Sequence, residues 1–118
     1  MARRSHPTGL KLELMAANHT GALPIPPMVT FDQAISAACH FFPGTAKHWG
    51  LGFLINAEDI AGQRSAGSLT WAGLYNTHFW IDRKRALTGL LMTQLLPFCD
   101  PRFLDLYKAF EHAVYRST

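Results

Sequence analysis

Hydroxyls, an imidazole and a glycine lie close together in one stretch of the chain. It reads Gly67-Ser68-Leu69-Thr70-Trp71-Ala72-Gly73-Leu74-Tyr75 and continues Thr77-His78-Phe79-Trp80-Ile81-Asp82. A serine or threonine becomes a nucleophile only when a base can take its proton. Ser68 and Thr70 have no evident base in the sequence, and hydroxyls on strands are common. No Gly-x-Ser-x-Gly elbow occurs. The six histidines, His6, His19, His40, His48, His78 and His112, show no metal spacing. Cys39 and His40 are adjacent and point apart, a poor chelate. No metal and no cofactor are expected. His78, on the strand beside Gly73, is a candidate cleft neighbour. His112 reads as the solvated side of a helix. Trp71, taken from composition alone, is packing, as aromatics in strands usually are.

These residues must be held by strands and helices that the pattern partly reveals. Residues 1–9 hold Pro7 and Gly9 and are expected to fray. Leu10 to Asn18 predicts a short helix with Leu10, Leu14 and Met15 on one side, stopped by Asn18-His19-Thr20-Gly21. Leu23-Pro24-Ile25-Pro26-Pro27 is a loop, since prolines lack the donor a strand or helix needs. Phe31 to Phe42 is ambiguous; Asp32 to Cys39 could form a helical turn or two. Trp49 to Asn56, Gly67 to Tyr75 and Thr77 to Asp82 read as strands, with a turn-like Ala57 to Ala66 between the first two. Asp82-Arg83-Lys84-Arg85 is a hairpin turn with a solvated, charged tip. Leu87 to Leu96 is apolar on nearly every residue and predicts a central strand covered on both faces. Asp100 is a natural N-cap before Pro101. Phe103, Leu106, Tyr107, Phe110 and Val114 then recur at helical spacing, with Asp105, Lys108, His112 and Arg116 opposite.

The expected fold class is α+β: an antiparallel sheet of about three to four strands with a C-terminal amphipathic helix on one face. Residues 1–48 form an N-terminal segment of short helix and proline-rich loop. Residues 49–118 form the sheet and helix of a single incomplete domain.

Bulk composition sets outer limits. At 118 residues with 48% hydrophobic and 16% charged side chains, the chain suits a folded segment rather than a disordered one. Its net charge of +3 is too mild to argue for nucleic acid, and no basic stripe interleaves with stacking aromatics. No run approaches a membrane span, and Arg3-Arg4 has no apolar segment behind it, so the cytoplasm is expected. Cys39 and Cys99 read as two reduced thiols, with a disulfide left open.

The order of Trp49-Gly50-Leu51-Gly52-Phe53, Trp71-Ala72-Gly73, Phe79-Trp80-Ile81-Asp82, charged turn, apolar strand and terminal helix resembles the C-terminal portion of class C β-lactamase-related proteins. It is most similar to their esterase relatives, the family VIII carboxylesterases. The resemblance runs from about Leu10 to Tyr115 and is strongest over Trp49 to Phe110. It implies a partial β-lactamase/transpeptidase-like fold and serine hydrolysis of a small ester or amide through an acyl-enzyme. In that family a Ser-x-x-Lys box, a Tyr-x-Asn/Ser box and a third box, often Trp-x-Gly in esterases, build the site.

Trp71-Ala72-Gly73 looks like the third box, which makes the Leu74 N–H the candidate oxyanion donor and Trp71 a wall of the acyl pocket. Gly73 would let substrate approach the strand, and a fixed N–H aimed at a developing oxyanion is usually a large term. Ser65-Ala66-Gly67 is a competing alignment for the same box. The first box is absent: no serine is followed three positions on by lysine, as Ser5 leads to Thr8, Ser36 to Cys39, Ser65 to Ser68 and Ser68 to Trp71. Tyr115-Arg116-Ser117 matches Tyr-x-Ser only formally, at the end of a helix. The resemblance therefore implies a C-terminal fragment of a hydrolase, without a catalytic nucleophile and inactive alone. The alternative is a non-catalytic α+β interaction module, or half of a split enzyme, with a complementing N-terminal fragment or self-association as partner. A small independent enzyme using Ser68, Thr70 or His78 is the third reading. Neither nucleic acid nor a membrane is an expected partner.

Overall fold

The computed structural model describes residues 8–118. Arg3-Arg4, Ser5 and His6, and most of the stretch expected to fray, lie outside the described residues. A five-stranded antiparallel sheet runs in simple sequence order. Its strands are β1 (Lys47–Trp49), β2 (Leu54–Asn56), β3 (Leu69–Gly73), β4 (Thr77–Asp82) and β5 (Leu87–Leu91). Two helices flank it in sequence, α1 (Thr8–Ala16) and α2 (Pro101–Ser117). The α+β class and the C-terminal helix agree with expectation. The strand count is higher because Trp49 to Asn56 is not one strand: Gly50 to Phe53 turns the chain, with the Gly50 N–H donating to the Phe53 carbonyl at 2.9 Å. β1 also begins at Lys47, two residues before the strand start expected at Trp49.

α2 starts where the cap chemistry says it should. The Asp100 carboxylate accepts from the Arg102 and Phe103 N–H groups, and Pro101 takes the first helical position. Phe103, Tyr107 and Tyr115 are buried against Trp80 of β4 to form the core, with Leu87, Leu91, Leu104, Phe110 and Val114 packed around them. Leu106, expected in the stripe, is 56% exposed, and Glu111 is buried instead. An acid can hold that core position because Arg64 meets it there in a two-pronged pair, Nε to Oε1 at 2.8 Å and Nη2 to Oε2 at 2.7 Å.

β5 departs most from expectation. It ends at Leu91, pairs only with β4, and is an edge strand. Residues after it leave the sheet, and Leu90 and Met92 stay exposed. An apolar run marks a strand that wants cover on both faces; it does not say that the same chain supplies the cover. Gly89 in this strand faces Trp80, its register partner. A Cβ at position 89 would overlap the Trp80 indole. The glycine is there so that a fully buried tryptophan can lie flat against the neighbouring backbone.

The segment before the sheet is irregular but anchored. Met28 bridges Cys39 and Ser36 bridges Phe98. Cys39 and Cys99, expected as free thiols, form a disulfide, with Cα atoms 5.8 Å apart. Sixty residues separate them in sequence, so only the fold could bring them together. Asp32 to Cys39 makes a turn rather than a helix.

Gly89→Ala should cost about 3 kcal/mol, because the added methyl must displace Trp80 from a packed core. Urea unfolding followed by tryptophan fluorescence checks this, and an unchanged midpoint would contradict the packing described.

Candidate functional site

Trp71, Ala72 and Gly73 form the last three residues of β3, paired with Phe79, His78 and Thr77 of β4. Leu74, Tyr75 and Asn76 make the hairpin loop between the two strands. The Asn76 N–H closes the turn on the Gly73 carbonyl at 3.0 Å, and Asn76 takes a left-handed φ of 60°. This is the common three-residue hairpin, in which the third loop position needs that conformation and asparagine tolerates it. Leu74 sits at the second position of the turn. Among the described residues nothing accepts a hydrogen bond from its N–H.

The tip is held rigidly from behind. The Asn76 side chain is fully buried; its Nδ2 donates to the Leu95 and Pro97 carbonyls at 2.9 and 2.8 Å. Its Oδ1 accepts from the Cys99 N–H at 2.8 Å. Thr93 Oγ1 donates to the Tyr75 carbonyl at 2.6 Å. The surface around the Leu74 N–H is apolar, with Leu74, Tyr75, Leu95 and Leu96 all exposed. An N–H fixed in such surroundings stabilises a nearby negative oxygen more than one in bulk water does.

Gly73 is open on its side-chain face. A Cβ built there would meet only Thr77, at 3.9 Å, an ordinary contact. Unlike Gly89, it is not required by packing within this chain.

Trp71 is half-buried, with its ring 4.7 Å from that of Trp49 and 6.1 Å from that of Phe41. These aromatics, with Met28 and Leu54, line a cavity of about 310 Å³. Lys47 lies on its wall and was not anticipated. Its Nζ donates to the Phe42 and Thr45 carbonyls at 3.0 and 3.1 Å, and burial lowers the pKa of the ammonium below its usual value. No signal in Ala46-Lys47-His48 marks that lysine out. Asn76 did carry one, as an asparagine between two strand patterns.

The other candidates lie elsewhere. His78 is paired with Ala72 but is 1% exposed, packed among Phe41, Phe98, Phe103 and Tyr107. Burial first, and then the Arg64 guanidinium, lower its pKa to about 4. Ser68 Oγ donates to the Ser65 carbonyl and Thr70 Oγ1 to the Phe79 carbonyl, and both side chains are buried. Ser65-Ala66-Gly67 lies in the loop before β3, at the opposite end of that strand from Gly73. Tyr115 is a core residue: its hydroxyl donates to Asp82 and accepts from Trp80 Nε1. Nδ1 of His112 lies 2.9 Å from the Gly62 carbonyl. Among the described residues no three His, Cys, Asp or Glu side chains are grouped to hold a metal ion, and no helix is long and apolar enough to cross a membrane.

The buried His78 has a measurable consequence. The unfolded chain takes up a proton near pH 6.5 that the folded chain refuses until about pH 4. Stability should therefore fall as pH drops through that window, by about 3 kcal/mol over its full width. His78→Phe should flatten that part of the profile, read by denaturant unfolding at a series of pH values. An equally steep profile in the variant would contradict the assignment.

No protein-family profile matches the chain. It is 44% identical over 71 residues to monacolin J acid methylbutanoyltransferase of Aspergillus terreus, covering 58% of this chain and 17% of that protein. It is 34% identical over 102 residues to lovastatin esterase of Penicillium rubens, covering 86% of this chain and 24% of that protein. Among solved structures, unliganded simvastatin synthase from Aspergillus terreus superposes with a TM-score of 0.59 at 40% identity, over 62% of this chain and 19% of that one. The chain thus spans between 17% and 24% of the length of these curated relatives.

Proposed function

The chain carries the C-terminal part of a serine β-lactamase-related fold, and from that premise we propose that it supplies the oxyanion strand and one wall of the acyl pocket to an acyl-transferring serine enzyme. The carrying observation is the pairing of an open Gly73 with an uncommitted Leu74 N–H. A carbonyl group seated against Gly73 would place its oxygen toward that N–H. As a serine attacks, negative charge grows on the oxygen, and the fixed donor contributes about 3 kcal/mol to the transition state. The cavity between Trp71, Trp49 and Phe41 is the place for a short apolar acyl chain. The relatives' names favour ester hydrolysis or acyl transfer over lactam opening. The nucleophile is not in this sequence, because no serine stands three residues before a lysine. The chain by itself is therefore inactive.

A second reading, half of a split enzyme or an interaction module, is favoured by a specific observation. Leu74, Tyr75, Leu90, Met92, Leu95 and Leu96 leave apolar surface exposed around the hairpin tip and the β5 edge. A complementing polypeptide or a second copy would cover it. The two readings are compatible if the complement also brings the nucleophile.

The cytoplasm was the compartment expected from sequence. The Cys39–Cys99 bond weighs against it, since stable disulfides are uncommon there. A thiol count on the native protein tests the bond: two free thiols would remove that objection.

The purified chain should hydrolyse a chromogenic short-chain ester no faster than buffer. Mixed with a polypeptide carrying Ser-x-x-Lys and Tyr-x-Asn boxes from a relative, it should gain activity. Gly73→Ala should leave stability within about 0.5 kcal/mol of the parent, yet lower the complemented rate, and Gly73→Trp should abolish it. Turnover by the chain alone would overturn the reading. Equal complemented rates for the parent and Gly73→Trp would remove Gly73 from the site.

A further inference from the structure

A second cavity, of about 380 Å³, lies between the 59–65 loop, the β4–β5 turn and the end of α2. It is at the Asp82 end of β4, about 17 Å along the strand from Thr77 and the Gly73 site. Lys84, Arg85 and Arg116 line it. Among the described residues none of these three forms an ion pair. Asp59 is the acid on the wall, and its Oδ1 is taken by the Ala66 N–H at 2.7 Å. Asp82 lies nearby, but its oxygens are committed. Oδ1 accepts from the Lys84 and Arg85 N–H groups, and Oδ2 from the Ser65 N–H and the Tyr115 hydroxyl.

The run Arg83-Lys84-Arg85 reads in sequence as one solvated tip, but the fold divides it. Arg83 turns to Glu13 of α1. Lys84 and Arg85 instead line the same cavity as Arg116, from a distant part of the chain. Arg85 is also positioned, its guanidinium stacked 5.2 Å from the centre of the Tyr115 ring. Three cations around one cavity repel each other, and an anion between them relieves that repulsion. Guanidinium groups favour a phosphate, whose oxygens match their planar fork of donors. Asp59 and Asp82 set two negative charges against these three cations, and Arg64 on the same wall is paired with Glu111, so the pocket keeps a net positive charge that an anion offsets.

We propose that this pocket binds a small molecule bearing a phosphate or pyrophosphate group, held by Lys84, Arg85 and Arg116. The site is independent of the acyl-transfer reading and stands or falls without it.

Calorimetric titration of the full chain with inorganic pyrophosphate, at fixed ionic strength, tests this. Saturable one-site binding is expected. The double variant Arg85→Gln/Arg116→Gln should weaken it about tenfold or more, and Lys84→Gln about fivefold. Lys108→Gln, which removes an equal charge at a different cavity beside α2, should bind like the parent. Circular dichroism on each variant separates loss of the site from loss of fold. Heats equal to those of sodium chloride at the same ionic strength would overturn the proposal. So would unchanged affinity in the double variant, or an equal loss in Lys108→Gln.

Discussion

The carboxylate of Asp82 organises this molecule more than any other single group. It closes β4, and its two oxygens collect the backbone of the β4–β5 turn, the backbone of Ser65 and the hydroxyl of Tyr115. Through Tyr115 the same network reaches Trp80 Nε1 at the centre of the core. Burial alone would raise the pKa of this acid, but the hydrogen bonds it accepts outweigh burial and hold it below the ordinary carboxylate value. A buried charge is tolerable only when its lone pairs are satisfied. Here satisfying them fixes a loop, a turn and the end of a helix at once.

Arg64 and Glu111 repeat the principle a few residues away. The pair is buried, two-pronged, and stacked over by Phe42, Trp80 and Tyr107. Together the two networks make the face between sheet and α2 polar at its margin and aromatic at its middle. The opposite end of β3 and β4 is built differently. There Asn76 does the anchoring through backbone contacts, and the surface beyond it is apolar and uncovered by this chain. One end of the sheet is sealed and cationic at its rim. The other is rigid, open and presents an unclaimed N–H. The contrast between Gly89 and Gly73 belongs to the same division. The first is explained by a neighbour inside the chain; the second meets only Thr77, at ordinary contact distance.

Much of the secondary structure was legible because local chemistry sets it. Asp100-Pro101 caps a helix wherever it occurs, and Thr77 to Asp82 alternates as a half-buried strand must. The box Trp71-Ala72-Gly73 rests on resemblance; the structure places it at the end of β3 beside a tight turn. Three expectations meet the same limit: Leu87 to Leu96 as a central strand, Leu106 as core, and Cys39 and Cys99 as reduced thiols with a disulfide left open. Each inference assumed that a residue's neighbours could be read from its type, whereas burial depends on which distant segment arrives.

The sequence by itself determined the class of the fold, the start of α2, the β4–β5 turn, and the absence of a serine–lysine pair in nucleophile spacing, because these depend on residue types a few positions apart. Only the tertiary structure decided that His78 is neutral and enclosed, that Lys47 borders the aromatic cavity, that Glu111 finds Arg64, and that Lys84 and Arg85 share a cavity with Arg116 while Arg83 does not. Those outcomes rest on contacts across tens of residues. There electrostatics and desolvation act through distance in space, and that distance is not written in local pattern.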